Sequence, residues 1–79
     1  LVLAFEALEK GGNSPCVLNA ANEIVVQAFL EDKIGFLQMS DVIKQCIQSV
    51  AFIDKPKLED YIKSDREARI VTQRIIDSL

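Results

Sequence analysis

Histidine and tryptophan are absent from this chain of 79 residues, and glycine, proline and cysteine are scarce at three, two and two. Without histidine there is no Ser-His-Asp or Cys-His relay, no imidazole zinc ligand and no Glu-x-x-His di-iron site. The two cysteines, Cys16 and Cys46, fit neither a CxxC redox motif nor a zinc spacing, and they read as reduced core thiols. No apolar run approaches the roughly 18–20 residues that a membrane helix needs. No charged-then-apolar signal segment opens the chain either. Excess positive charge is also missing. Nine basic residues against twelve acidic ones leave a net charge of −3, so no long-range field draws the chain to a phosphate backbone. The expectation is a soluble, non-secreted protein with neither a nucleic-acid nor a membrane partner.

What is present is apolar. Hydrophobic residues make up 49% of the chain, enough for the core of one small domain spanning residues 1–79. A chain this short buries only about 60–65% of its unfolded surface, so its core has to be rich and its connections brief. Leu1 stands inside an apolar run with no initiator Met, which reads as a piece of a larger polypeptide.

Periodicity predicts helices. Leu1, Ala4, Phe5 and Leu8 recur at intervals of three and four over residues 1–10, and Glu6 can pair weakly with Lys10. Gly11 and Gly12 supply a left-handed cap and a free hinge, and Asn13 continues the turn. Ser14 reads as an N-cap with Pro15 in the first helical position, opening a second helix over residues 15–32. That helix is apolar almost all round, which makes it the central one. Residues 33–39 read as a connection anchored by Phe36 and Leu37. Ser40 and Asp41 then start a third helix over 41–51, with Val42, Ile43, Cys46, Ile47 and Val50 inward. After Asp54-Lys55-Pro56, a short helix over 58–62 is possible. Ser64-Asp65-Arg66-Glu67 has capping-box spacing for a last helix over 65–79, which turns Ala68, Val71, Ile75, Ile76 and Leu79 inward. No stretch alternates with period two, so the fold class is all-α, a four-helix bundle with short loops.

The polar residues of the second helix carry the most information. Asn19, Glu23 and Gln27 are spaced by four with Asn22 beside them. Two readings stand open: a binding or catalytic surface, or residues that favour the helix dipole and contact a loop or a neighbouring domain. One carboxylate with no second acid, imidazole or metal cannot run general acid and base steps alone. The remaining acids have no calcium-loop or metalloenzyme spacing, and the basic group Lys63, Arg66, Arg69 and Arg74 is diluted by acids. Asp65 and Arg69, one turn apart, form an ordinary helix pair. Gly11-Gly12 lacks the context of a nucleotide loop, and no hydroxyl has an activating base.

The run Leu18-Asn19-Ala20-Ala21-Asn22-Glu23 is preceded by Gly11-Gly12-Asn13-Ser14-Pro15 and followed by Ala28-Phe29-Leu30-Glu31-Asp32-Lys33-Ile34-Gly35-Phe36. Together these resemble the C-terminal domain of the 1-deoxy-D-xylulose 5-phosphate reductoisomerase family. The likeness is specific over about residues 3–43, Asp65 with Ala68-Arg69 fits the family's ending, and residues 50–64 match loosely. The resemblance implies a larger α/β enzyme. That enzyme rearranges and reduces 1-deoxy-D-xylulose 5-phosphate to 2-C-methyl-D-erythritol 4-phosphate with NADPH and a divalent metal, Mg or Mn, in non-mevalonate isoprenoid biosynthesis. It implies a Rossmann-like NADPH domain, a central catalytic and dimerising domain, and a C-terminal four-helix bundle, which is this chain. It further implies a homodimeric parent in a bacterial cytoplasm or a plastid-type organelle. The family's cofactor, metal and phosphate positions have no counterpart here, so no catalytic, cofactor-binding or metal residue transfers and the 79 residues alone are expected to be inactive. Asn19, Asn22, Glu23 and Gln27 are expected to serve packing or contact with the catalytic domain. The rival expectation is a freestanding interaction bundle that docks a partner or self-associates by swapping across Gly11-Gly12. A helix-turn-helix reader would need basic residues gathered on one helix, and the third helix has only Lys44.

Overall fold

The computed structural model describes residues 2–79; Leu1, part of the first apolar periodicity, lies outside the described residues. Four helices follow one another: α1 (Val2–Lys10), α2 (Ser14–Leu30), α3 (Phe36–Ser49) and α4 (Leu58–Asp77). The described residues contain no strand. The central helix is α2, which packs against each of the other three; α3 and α4 also pack on each other, while α1 leans chiefly on α2.

The ends of the helices depart from the sequence reading, each for a local reason. Asn13, not Ser14, occupies the N-cap of α2, with Pro15 just inside. Its side chain makes no capping bond because it is engaged elsewhere. The helix stops at Leu30 rather than Asp32. Asp32 takes a left-handed φ of 59°, and the Lys33 N–H reaches back to the Ala28 carbonyl while that of Asp32 reaches Phe29, a Schellman closure. The expected third helix over 41–51 instead starts five positions earlier and ends at Ser49. Gln38 Oε1 accepts from the Gly35 N–H at 2.7 Å, so the cap forms there and Ser40 and Asp41 become exposed interior positions. Likewise the short helix over 58–62 and the last helix over 65–79 are one helix. Its cap is Asp60 Oδ2 accepting from the Lys57 N–H at 2.9 Å, and Ser64-Asp65-Arg66-Glu67 caps nothing.

The core is one cluster. Val17, Ala20, Ala21, Val25 and Ala28 of α2, Val42, Ile43 and Cys46 of α3, Ala68 and Ile76 of α4, and the flanking Ile34 and Val50 build it. Full burial of a side chain such as Val25 contributes about 1.5–3 kcal/mol relative to leaving it in water. On α4 the buried residues are Ser64, Ala68, Thr72 and Ile76, spaced by four; Val71 and Ile75 are half-buried, and Leu79 is exposed rather than inward. Buried Thr72 spends its hydroxyl on the Ala68 carbonyl one turn back, at 2.7 Å.

On α1 the apolar periodicity and the buried face do not coincide. Ala7 is buried and Leu3 packs against the core, while Phe5 and Leu8 stand exposed at 70% and 69%. Phe36 and Leu37, expected as anchors, are exposed too, at 72% and 86%, although the Phe36 ring meets Phe29 edge-on at 6.2 Å. Lys10 lies over the Phe52 ring, 4.6 Å from its centre, instead of pairing with Glu6.

Candidate functional site

The four polar residues expected on one stripe of α2 are all exposed, and the structure parts them into two groups. A step of four residues advances about 40° around a helix, so a spacing of four drifts steadily sideways. Glu23 and Gln27 drift toward partners within the bundle. Arg69 on α4 donates to Glu23 Oε2 at 2.8 Å and to Asp65 Oδ2 at 2.9 Å, the latter being the helix pair expected from spacing. These contacts, Asp65 first and Glu23 second, push the Arg69 guanidinium pKa further up. Gln27 donates to Glu31 Oε2 at 2.8 Å. That bond, with neighbouring Lys33, holds the Glu31 carboxyl below its ordinary range.

Asn19 and Asn22 turn the other way. They border a groove of about 840 Å³ between α1, α2 and the first turns of α3, whose walls include Leu8, Phe36 and Leu37. Leu3, Leu18 and Ile43 also line it, and no charged side chain does. Neither amide hydrogen-bonds another described residue, so both leave donors and acceptors open on the border of the groove. Periodicity alone could not find this surface, because Leu8 and Leu37 belong to separate segments that only the packing of α1 and α3 on α2 brings together.

Asn13 is the other residue whose importance the sequence conceals. It is fully buried; its Nδ2 donates to the Ala51 carbonyl at 2.8 Å and to Ser64 Oγ at 2.9 Å. Its Oδ1 accepts from the Ile53 N–H at 2.8 Å, and its own N–H donates to the Ile53 carbonyl at 3.0 Å. One side chain thereby ties the α3–α4 connection to the start of α2 and to the middle of α4. Gly12 is no free hinge. Its φ is +56°, and a Cβ there would collide with the Ile53 carbonyl oxygen and the Phe52 ring.

Catalytic chemistry finds little to work with. Burial pushes the Cys16 thiol up, assisted by the charge of Asp65, and burial likewise pushes Cys46 up. Neither is an activated thiolate. Among the described residues no group of three His, Cys, Asp or Glu side chains could hold a metal ion. A dinucleotide needs free amides at a glycine-rich turn, but the Gly11 N–H donates to Ala7, that of Asn13 to Ile53 and that of Ser14 to Gly11. These three amides are thus spent within the chain and do not form a phosphate cradle at the Gly11-Gly12 turn. No helix among them is long and apolar enough to cross a membrane.

Fold and surface together define an all-α domain with a groove that no charged side chain lines, walled by exposed apolar side chains and bordered by two amides without partners among the described residues. The family described as the DXP reductoisomerase C-terminal domain matches residues 1–71, and the chain belongs to it. A 1-deoxy-D-xylulose 5-phosphate reductoisomerase of Phocaeicola vulgatus is 56% identical over 78 residues, 99% of this chain and 20% of that protein. One of Bacteroides fragilis is 50% identical over 76 residues, again 20% of its length. The solved 1-deoxy-D-xylulose 5-phosphate reductoisomerase of Zymomonas mobilis in complex with NADPH superposes with a TM-score of 0.89 at 42% identity, over 100% of this chain and 21% of that one. The chain spans about a fifth of the length of the relatives it matches.

Proposed function

We propose that this chain is the C-terminal structural domain of an enzyme that converts 1-deoxy-D-xylulose 5-phosphate to 2-C-methyl-D-erythritol 4-phosphate with NADPH, in non-mevalonate isoprenoid biosynthesis. The carrying observation is a likeness that runs the whole length of the chain in both sequence and fold. The catalytic steps, with NADPH and a divalent metal, fall to the rest of the polypeptide; the engagement of the Gly11, Asn13 and Ser14 amides within the chain supports this reading. In this reading the bundle supports the catalytic domain through the Asn19 and Asn22 side of α2, the parent enzyme is a homodimer, and it works in a bacterial cytoplasm. Bacterial relatives support the last point.

The test is an NADPH oxidation assay on two proteins. The full-length enzyme turns over 1-deoxy-D-xylulose 5-phosphate, and the isolated 79 residues leave NADPH at background. Oxidation by the isolated chain above background, or a full-length protein without this activity, would sink the proposal. The exposed Phe5, Leu8, Phe36 and Leu37 favour one second reading, a freestanding dimerisation bundle. That reading predicts a concentration-dependent dimer of the 79 residues in sedimentation.

A further inference from the structure

We propose that the groove between α1, α2 and the first turns of α3 is the seat for an apolar, uncharged segment of the catalytic portion of the same polypeptide, whose polar groups the Asn19 and Asn22 amides receive. This rests on the reading of the chain as a reductoisomerase C-terminal domain and names the surface by which that domain docks.

Three observations carry it. The first is where the exposed apolar side chains lie. Leu8 of α1 and Leu37 of α3 stand mostly in water and line one concavity together with Leu3, Leu18 and Ile43. Scattered exposed leucines are ordinary, but a concave set of them marks a surface that is covered in the working protein. The second is the chemistry of the lining. No charged residue borders the groove, although 27% of the chain is charged, so the site selects against nucleic acid and against charged peptides. Asn19 and Asn22, without partners among the described residues, each present donors and an acceptor suited to backbone groups of an incoming segment. The third is connectivity. The relatives are about five times as long as the matched segment, and the family is that of a C-terminal domain, so the rest of such an enzyme joins at the α1 end. Because α1 is itself a wall of the groove, a tethered segment meets the site at an effective concentration on the order of millimolar, which a second copy at cellular levels does not match.

The experiment uses the full-length enzyme carrying Leu37→Cys or, separately, Leu8→Cys, with Leu58→Cys as the reference, an exposed leucine outside the groove. Maleimide labelling is followed on the peptide bearing the introduced thiol. Labelling at 37 and at 8 is expected to be at least about tenfold slower than at 58, and to stay so on about hundredfold dilution. Equal rates at 37, 8 and 58 overturn the proposal. Protection that disappears on dilution also overturns it, because the occupant is then a second copy. Turnover is read separately on the same proteins: an active enzyme that labels freely at 37 and 8 overturns the docking surface alone. A protected groove in an enzyme without reductoisomerase activity overturns the functional reading and leaves the seat.

Discussion

Where α2 meets α4, Ala20, Ala21 and Ala68 are shut off from solvent and Thr72 and Ser64 satisfy their hydroxyls inside the core; where α1 crosses α2 near the start of α3, Leu8 and Leu37 stand in water. Both regions are built from the same helical periodicity. They differ in side-chain size and in polar closure. Small residues on α2 and α4 let the helices approach until nothing else fits. On the α1 side a groove of about 840 Å³ stays open between α1, α2 and the first turns of α3, and no residue of the described chain fills it. One side of the bundle is closed by its own side chains and the other stays open to solvent.

The largest test of that contrast is Asn13→Ala. It removes three side-chain hydrogen bonds and strands the Ala51 carbonyl and the Ile53 N–H. The expected cost is about 3 kcal/mol in urea unfolding. A loss below about 1 kcal/mol would show that the closed side does not depend on this network. Next comes Ala68→Leu, which forces extra methylenes into a fully closed contact and should lower stability by about 2 kcal/mol. A neutral result would mean that the α2–α4 side is looser than it stands here.

The two polar groups of α2 give a finer test. Asn22→Ala is expected to reduce stability or activity of the full-length enzyme more than it affects folding of the isolated chain. Glu23→Ala should act alike in both, because its partner Arg69 lies within the bundle. Equal behaviour of the two substitutions would erase the division between the open and the closed side. Asp32→Gly is expected to raise the stability of the isolated chain by about 0.5–1 kcal/mol, since glycine takes the left-handed position without a Cβ clash. A decrease in thermal midpoint would refute the closure proposed for the end of α2.

The smallest effect is on pH dependence. Burial raises the Cys16 and Cys46 pKa values above the ordinary 9.0, so the folded state holds these protons more tightly than the unfolded one. Their contribution is complete below pH 9.0 and is lost as the pH rises through the folded-state values. The thermal midpoint should therefore fall above about pH 9. A Cys16→Ser, Cys46→Ala variant should flatten that decline, and an unchanged slope would assign it to other groups.

Much of the fold was legible in residue order. The all-apolar wheel of α2 marks it as the central helix, and Val42, Ile43, Cys46 and Val50 are buried as their spacing suggests. Local cap signals were less informative. Ser40-Asp41 and Ser64-Asp65-Arg66-Glu67 both have the chemistry of a helix start, yet Gln38 and Asp60 cap earlier, and the helices run on through the later signals. Ser64 lies inside α4, and its hydroxyl accepts from Asn13, 51 positions away in sequence, instead of capping a helix. No local pattern contains that pairing. The polar stripe was legible as a group but not in its division, which depends on where α1 and α4 lie around α2.

Residue order thus determined the helical class, the central helix and the absence of imidazole, because periodicity and composition act over neighbouring residues. Tertiary structure alone decided that Asn13 is a buried hub and that Gly12 is pressed against Ile53. It also decided that Leu8 and Leu37 share one open groove with Asn19 and Asn22. Each of these is a meeting of segments far apart in the chain, and only the angles and distances at which the helices pack determine which side chains meet.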